Sequence, residues 1–171
     1  MILRITDKLG KKIKEKPGSV LPLHPNPLAD WSLALFTVGR IRYVMASHTV
    51  SLFSFIFHAK GITDPNGLIE KFMVQMREFF LDNRLKDVFL EKILPEAREF
   101  VFSKNISRSV IGCMNELIQM AKFNLGNNGF SAGIASIKVN DTLVRLDKKN
   151  YQTPLEAFET ENKKRNFKIV N

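Results

Sequence analysis

Phe53, Phe55 and Phe57 occupy every second position of one short stretch, and that spacing constrains the fold more than any other feature of the chain. Side chains alternate across a β-strand, so all three rings fall on one face. Three phenylalanines on one sheet face call for a covering layer, and helices supply it. Just upstream, residues 32–37 and 41–47 read as two more strands, separated by the breakers Gly39-Arg40 and His48-Thr49. In the second of these, Ile41, Tyr43 and Met45 face one way and Arg42, Val44 and Ala46 the other. Residues 32–57 thus predict an antiparallel meander.

The covering helices are also legible. Asp64 can cap free amides and Pro65 suits the first helical position. Leu68, Phe72, Met76, Phe79 and Phe80 follow at helical spacing. A second helix starts at the Ser107 cap and carries Val110, Ile111, Met114, Leu117, Ile118, Ala121 and Leu125 as its apolar stripe, with Gly126 placed to end it. Shorter helices are expected over residues 85–94 and 131–139, and short strands over residues 1–6 and 99–103. Pro22, Pro25 and Pro27 make residues 19–27 an extended connector. The predicted fold is α+β: an antiparallel sheet covered on one face by two or three helices, in a single domain over residues 1–150. Residues 151–171 are expected to form a polar C-terminal extension that is partly disordered.

A hydrophobic content of 44% excludes a disordered chain, and one cysteine, Cys113, excludes a disulfide-stapled miniprotein. The start Met1-Ile2-Leu3-Arg4 lacks the pattern of a secretory signal, and no run reaches the length of a transmembrane segment. A cytoplasmic location is the expectation.

The net charge is +9. Residues 1–18 and 145–171 hold thirteen of the 26 basic side chains against six of the 17 acidic ones, so the excess lies at the ends. Such an excess attracts phosphate backbones, anionic membrane surfaces or acidic proteins. Lys8, Lys11, Lys12, Arg40 and Arg42 are the candidate polyanion contacts. The alternative is a lysine-rich solubilising surface. Alternation sets Arg42 and Tyr43 on opposite faces, which argues against a combined basic and aromatic platform. A second candidate is an anion site at Lys104, Ser107, Arg108 and Ser109, where the free amides and positive dipole of a helix start coincide. There the competing reading has Arg108 paired with Asp30 or Glu116 while Ser107 merely caps.

His24, His48 and His58 have no metal-ligand spacing, and ordinary surface histidines are the simpler account; sequence leaves their convergence open. Cys113 sits beside Met114 in an apolar stripe and reads as a small buried thiol. No Walker loop, nucleophile elbow or His-Glu-x-x-His occurs, so neither a metal nor a cofactor is expected.

Asp30-Trp31, Leu35-Phe36-Thr37, Arg40 with Tyr43, Ser51-Leu52-Phe53-Ser54 and Arg108-Ser109-Val110-x-Gly112-x-Met114-Asn115 form a familiar combination. Over residues 1–125 the chain resembles an uncharacterised bacterial family, domain of unknown function 6933. Ser107 stands where that family has asparagine, which keeps a capping side chain. The resemblance implies no reaction, cofactor or substrate and bears on the fold alone. The resulting expectation is a non-enzymatic cytoplasmic module that binds nucleic acid, DNA or RNA, or another polyanion through a basic surface. Two alternatives stand beside it: an enzyme or small-anion binder with a phosphate or carboxylate pocket around Arg108, and a protein-interaction module with an acidic protein as partner.

Overall fold

The computed structural model describes residues 1–145 and 151–168. Strand β1 (Ile2–Ile5) leads into helix α1 (Asp7–Ile13), and the connector ends in a 3-10 turn at Pro27–Ala29. Strands β2 (Asp30–Val38), β3 (Ile41–His48) and β4 (Ser54–His58) follow, then helix α2 (Pro65–Asp82) and a π-helical turn at Val88–Ile93. Strand β5 (Val101–Ser103), helices α3 (Arg108–Gly126) and α4 (Ala132–Asn140), a small hairpin of β6 (Val144–Arg145) and β7 (Tyr151–Gln152), and helix α5 (Pro154–Lys168) complete the chain.

The expected meander is present, with Phe36 opposite Tyr43 and Met45 opposite Ile56. The sheet as a whole is not a pure antiparallel meander, however. Its order is β4-β3-β2-β1-β5, and β1 runs parallel to both β2 and β5. Parallel neighbours require a long crossover, and α1 with the proline-rich connector provides one between β1 and β2.

The expectation of helices on one face alone is also corrected. Leu3, Trp31, Leu33, Val44, Phe55 and Phe57 pack with α1, α2 and the π-helical turn, while Ala34, Phe36, Tyr43, Met45 and Ile56 pack with α3 and α4 on the reverse face. β2 carries the mark of this arrangement, because it is apolar at both parities, as strands buried on two faces are. At the centre of the first layer, the Trp31 ring meets Phe55, His48, Phe72 and Phe80 edge-on at 5.5–6.2 Å. Each such aromatic pair adds about 0.5–1.5 kcal/mol beyond the area it buries. Trp31 Nε1 donates to the Leu28 carbonyl at 2.9 Å.

Residues 19–24 are fastened to the sheet by Arg4 of β1, which donates to the carbonyls of Leu21 and Pro22 at 2.9 Å each. The opposite edge, β4, is closed by side chains of α4. Asn140 accepts from the Ser54 amide and donates to the Ser54 carbonyl, both at 2.7 Å, and Ser136 Oγ accepts from the Ile56 amide at 2.9 Å. Groups that would otherwise template another strand are thereby occupied.

Phe158 of α5 is fully buried against Phe53, with ring centroids 4.5 Å apart. The expected domain boundary at residue 150 lies outside the described residues, as does the end of the expected extension, residues 169–171.

Candidate functional site

Two tight turns and two helices bring cations together on one flank. The β2–β3 hairpin turns at Gly39, whose φ of 57° lies in the left-handed region that glycine tolerates, and exposes Arg40 and Arg42. The chain leaving β4 turns at Gly61, with φ 83°, and exposes Lys60. Lys12 of α1 and Lys71 of α2 reach the same place. These five cationic residues, with Ile41, His58, Ala59, Gly61, Ile62 and Thr63, line an open groove of about 800 Å³. No carboxylate stands among the described residues that line it.

Charges of one sign at this density cost energy through mutual repulsion, which an incoming anion relieves. Among the described residues that line the groove there is no Phe, Tyr or Trp either. The His58 ring lies against Tyr43, with centroids 4.7 Å apart, and register and alternation put both on the opposite sheet face from Arg42.

A second cleft of about 560 Å³ opens on the other flank of α1, lined by Lys11, Lys14, Lys16 and Lys104 with Asp7 and Glu15, and floored by Ile5, Thr6 and Gly10. It sits at the carboxyl ends of the parallel strands β1 and β5, from which Thr6 and Lys104 emerge. Lys14 ends α1 in the left-handed conformation, φ 60°. Its charge reaches Asp64 at the head of α2. The Asp64 carboxyl is held below the usual carboxylate range, first by the Gly67 amide, then by the Thr63 hydroxyl, with Lys14 contributing. Lys12 lines the first groove and its chain neighbour Lys11 the second, so both clefts border α1.

Of the residues singled out in the sequence, Lys12, Arg40 and Arg42 meet in the first groove, and Lys11 and Lys104 meet in the second. Lys8 is exposed one helical turn before Lys12, on the same side of α1. Ser107 accepts from the Val110 amide at 3.2 Å as the helix cap, and the exposed Arg108 and Ser109 line neither cleft. Arg108 does not pair with Asp30, whose carboxylate holds Arg4. Lys60 and Lys71 were missed, because Lys71 belongs to the polar face of an amphipathic helix and only the placement of α2 beside the hairpin brings it to the groove.

The histidines do not converge. His24 bonds Asn26, His58 is exposed, and His48 is not on the surface as expected but fully buried. Its Nδ1 meets Ser51 Oγ at 2.7 Å and its Nε2 meets the Pro27 carbonyl at 2.8 Å. The carbonyl can only accept, so Nε2 carries the proton and Nδ1 accepts. Burial pushes its pKa down to about 4. Among the described residues no group of three His, Cys, Asp or Glu side chains could hold a metal ion. Cys113 is half-exposed, and burial and Glu116 push its thiol pKa up, the reverse of an activated nucleophile. No described helix is long and apolar enough to cross a membrane.

Fold and surface together define an α+β protein with a mixed five-stranded sheet and two surface clefts lined by basic side chains. The chain belongs to the family described as domain of unknown function (DUF6933), whose model matches residues 2–157. No curated protein matches it.

Proposed function

We propose that the protein is a non-enzymatic cytoplasmic module that binds the phosphate backbone of nucleic acid through the groove between the β2–β3 hairpin and α2. One observation carries this reading: Lys12, Arg40, Arg42, Lys60 and Lys71 converge on a single groove whose described lining holds no carboxylate. Cations on flexible stems, without aromatic platforms, suit contacts that follow phosphates and ignore base identity. Four of the five come from a hairpin tip, a loop and an amphipathic helix, elements that position charge on a rigid sheet without any core role for the side chains themselves.

The test is a fluorescence-anisotropy titration with labelled DNA and RNA over a range of salt concentrations. Affinity is expected to fall steeply with salt, because each neutralised phosphate releases counterions, with a log–log slope of about −0.7 per contact on single strands. The double variant Arg40→Gln/Lys60→Gln is expected to weaken binding of every sequence alike. Absence of binding at low salt, or binding indifferent to these substitutions, overturns the proposal.

A further inference from the structure

We infer that the second cleft is a site for a small phosphate monoester carrying free hydroxyl groups, separate from the nucleic-acid groove and independent of it. β1 and β5 are adjacent and parallel, yet they feed helices on opposite faces of the sheet. β1 leads into α1, whose Leu9 and Ile13 pack on the Trp31 face, and β5 leads to α3, whose Met114 and Leu117 pack on the reverse one. Chains that leave neighbouring parallel strands in opposite directions open a crevice beyond the carboxyl ends, and open sheets with parallel strands hold their ligands there. The cleft of about 560 Å³ is that crevice: Thr6 follows β1, Lys104 follows β5, and both line it. Its volume suits a small molecule. One wall depends on Gly10, because a Cβ there would lie 2.6 Å from the Glu15 carbonyl oxygen, and the Glu15 amide donates to the Gly10 carbonyl at 3.0 Å.

Lys11, Lys14, Lys16 and Lys104 stand against Asp7 and Glu15 in the lining, and among the described residues none of the four lysines is held in a salt bridge. The surplus is two positive charges. A phosphate monoester carries about −1.5 to −2 near neutral pH and matches it. A long polyanion suits the carboxylate-free groove better, because here Asp7 and Glu15 repel its further phosphates, whereas both carboxylates accept from hydroxyl groups. The strand ends also leave polar atoms unanswered. Thr6 Oγ1, just after β1, and Asn105 Oδ1, just after Lys104, are buried without a hydrogen-bond partner among the described residues. The Thr6 side chain does not cap α1. Folded proteins keep few such atoms, and each calls for a partner. A phosphate oxygen supplies the acceptor that the Thr6 hydroxyl lacks.

The experiment is a calorimetric titration with ribose 5-phosphate, ribose and inorganic phosphate at one ionic strength, with backbone amide shifts followed by NMR. Ribose 5-phosphate is expected to bind once per chain, about tenfold or more tighter than inorganic phosphate, and ribose not at all. The amide shifts are expected at Thr6, Gly10 and Lys104. Lys104→Gln, at an exposed position, is expected to weaken binding about tenfold. Thr6→Val is expected to weaken it as much while leaving the urea midpoint unchanged, because the hydroxyl bonds nothing in the free protein. Absence of saturable binding, ribose 5-phosphate no tighter than inorganic phosphate, or wild-type affinity in both variants overturns the inference. Shifts confined to residues 40–42 and 58–63 would seat the ester in the hairpin groove and overturn it as well. The nucleic-acid reading of that groove stands or falls by its own salt titration.

Discussion

Arg4 and Asp30 meet side by side between β1 and β2 with no solvent exposure on either side chain: Nε donates to Oδ1 at 2.7 Å and Nη2 to Oδ2 at 2.8 Å. The pair has more to hold than itself. Arg4 also donates to the carbonyls of Leu21 and Pro22, and Asp30 Oδ2 accepts from the His24 amide at 3.0 Å. One buried ion pair thus helps to fix a proline-rich segment to the sheet, beside the bonds from the Leu21 amide to Ser103 Oγ and from the Lys104 amide to the Ser19 carbonyl. Asp30→Asn leaves the guanidinium without its counter-charge, and a buried charge stripped of its partner typically costs about 3–5 kcal/mol. Urea denaturation is expected to show a loss of that size. The double variant Arg4→Met/Asp30→Asn is expected to lose less than the two single losses together, since no lone charge then remains. Additive losses would contradict a direct coupling.

His48 makes stability depend on pH. In the fold its pKa is about 4, set by burial, against 6.5 for the free side chain. Between these values the unfolded chain binds the proton and the folded chain does not, so stability increases with pH across that window. The contribution is complete above about pH 6.5 and is lost as pH falls through about 4, a change of about 3 kcal/mol for a shift of this size. Urea midpoints measured between about pH 7 and about pH 4.5 are expected to fall accordingly. His48→Gln, which cannot titrate, is expected to flatten the slope in that interval even though it lowers stability at neutral pH. An unchanged slope in the variant would show that other groups set the acid sensitivity.

Asn140 guards the β4 edge. Replacing it with alanine strands the buried Ser54 amide and carbonyl, at a cost of about 1–3 kcal/mol for unsatisfied groups. Asn140→Ala is expected to lower the melting temperature and, by exposing part of a strand edge, to raise light scattering on mild heating. Ser136→Ala removes the acceptor for the Ile56 amide alone and is expected to do less. A variant that melts lower without scattering more would confine the role of Asn140 to stability.

What was legible in the sequence is what local chemistry determines. The Asp64 cap and the α2 stripe of Leu68, Phe72, Met76, Phe79 and Phe80 stand as read, as do the Ser107 cap of α3 and the three phenylalanines packed on one face. The parallel placement of β1 and β5 was not legible, because both are short and their pairing spans about a hundred residues with no local signal. Burial of His48 was missed for a related reason. It ends β3 next to polar residues, and only the packing of β2 and α5 around it puts Trp31 and Phe158 against its ring. The candidate groove divides the same way: Lys12, Arg40 and Arg42 stood out as basic residues, but their meeting with Lys60 and Lys71 depends on α1 and α2 lying on one sheet face.

The hairpin groove and the head of α3 make opposite predictions about binding. Lys71 lines the groove from α2, whereas Arg108 begins α3 and lines neither cleft. If groove cations contact phosphates individually, Lys71→Gln lowers affinity for all sequences and makes the log–log salt slope shallower by about 0.7 on single strands. Arg108→Ala is expected to leave both quantities close to wild type, apart from a small long-range effect that salt screens beyond about 10 Å. Anisotropy titrations at several salt concentrations separate the cases. A larger slope change in Arg108→Ala than in Lys71→Gln would move the site from the hairpin groove to the head of α3, where the backbone amides of a helix start and Ser109 would then take the anion.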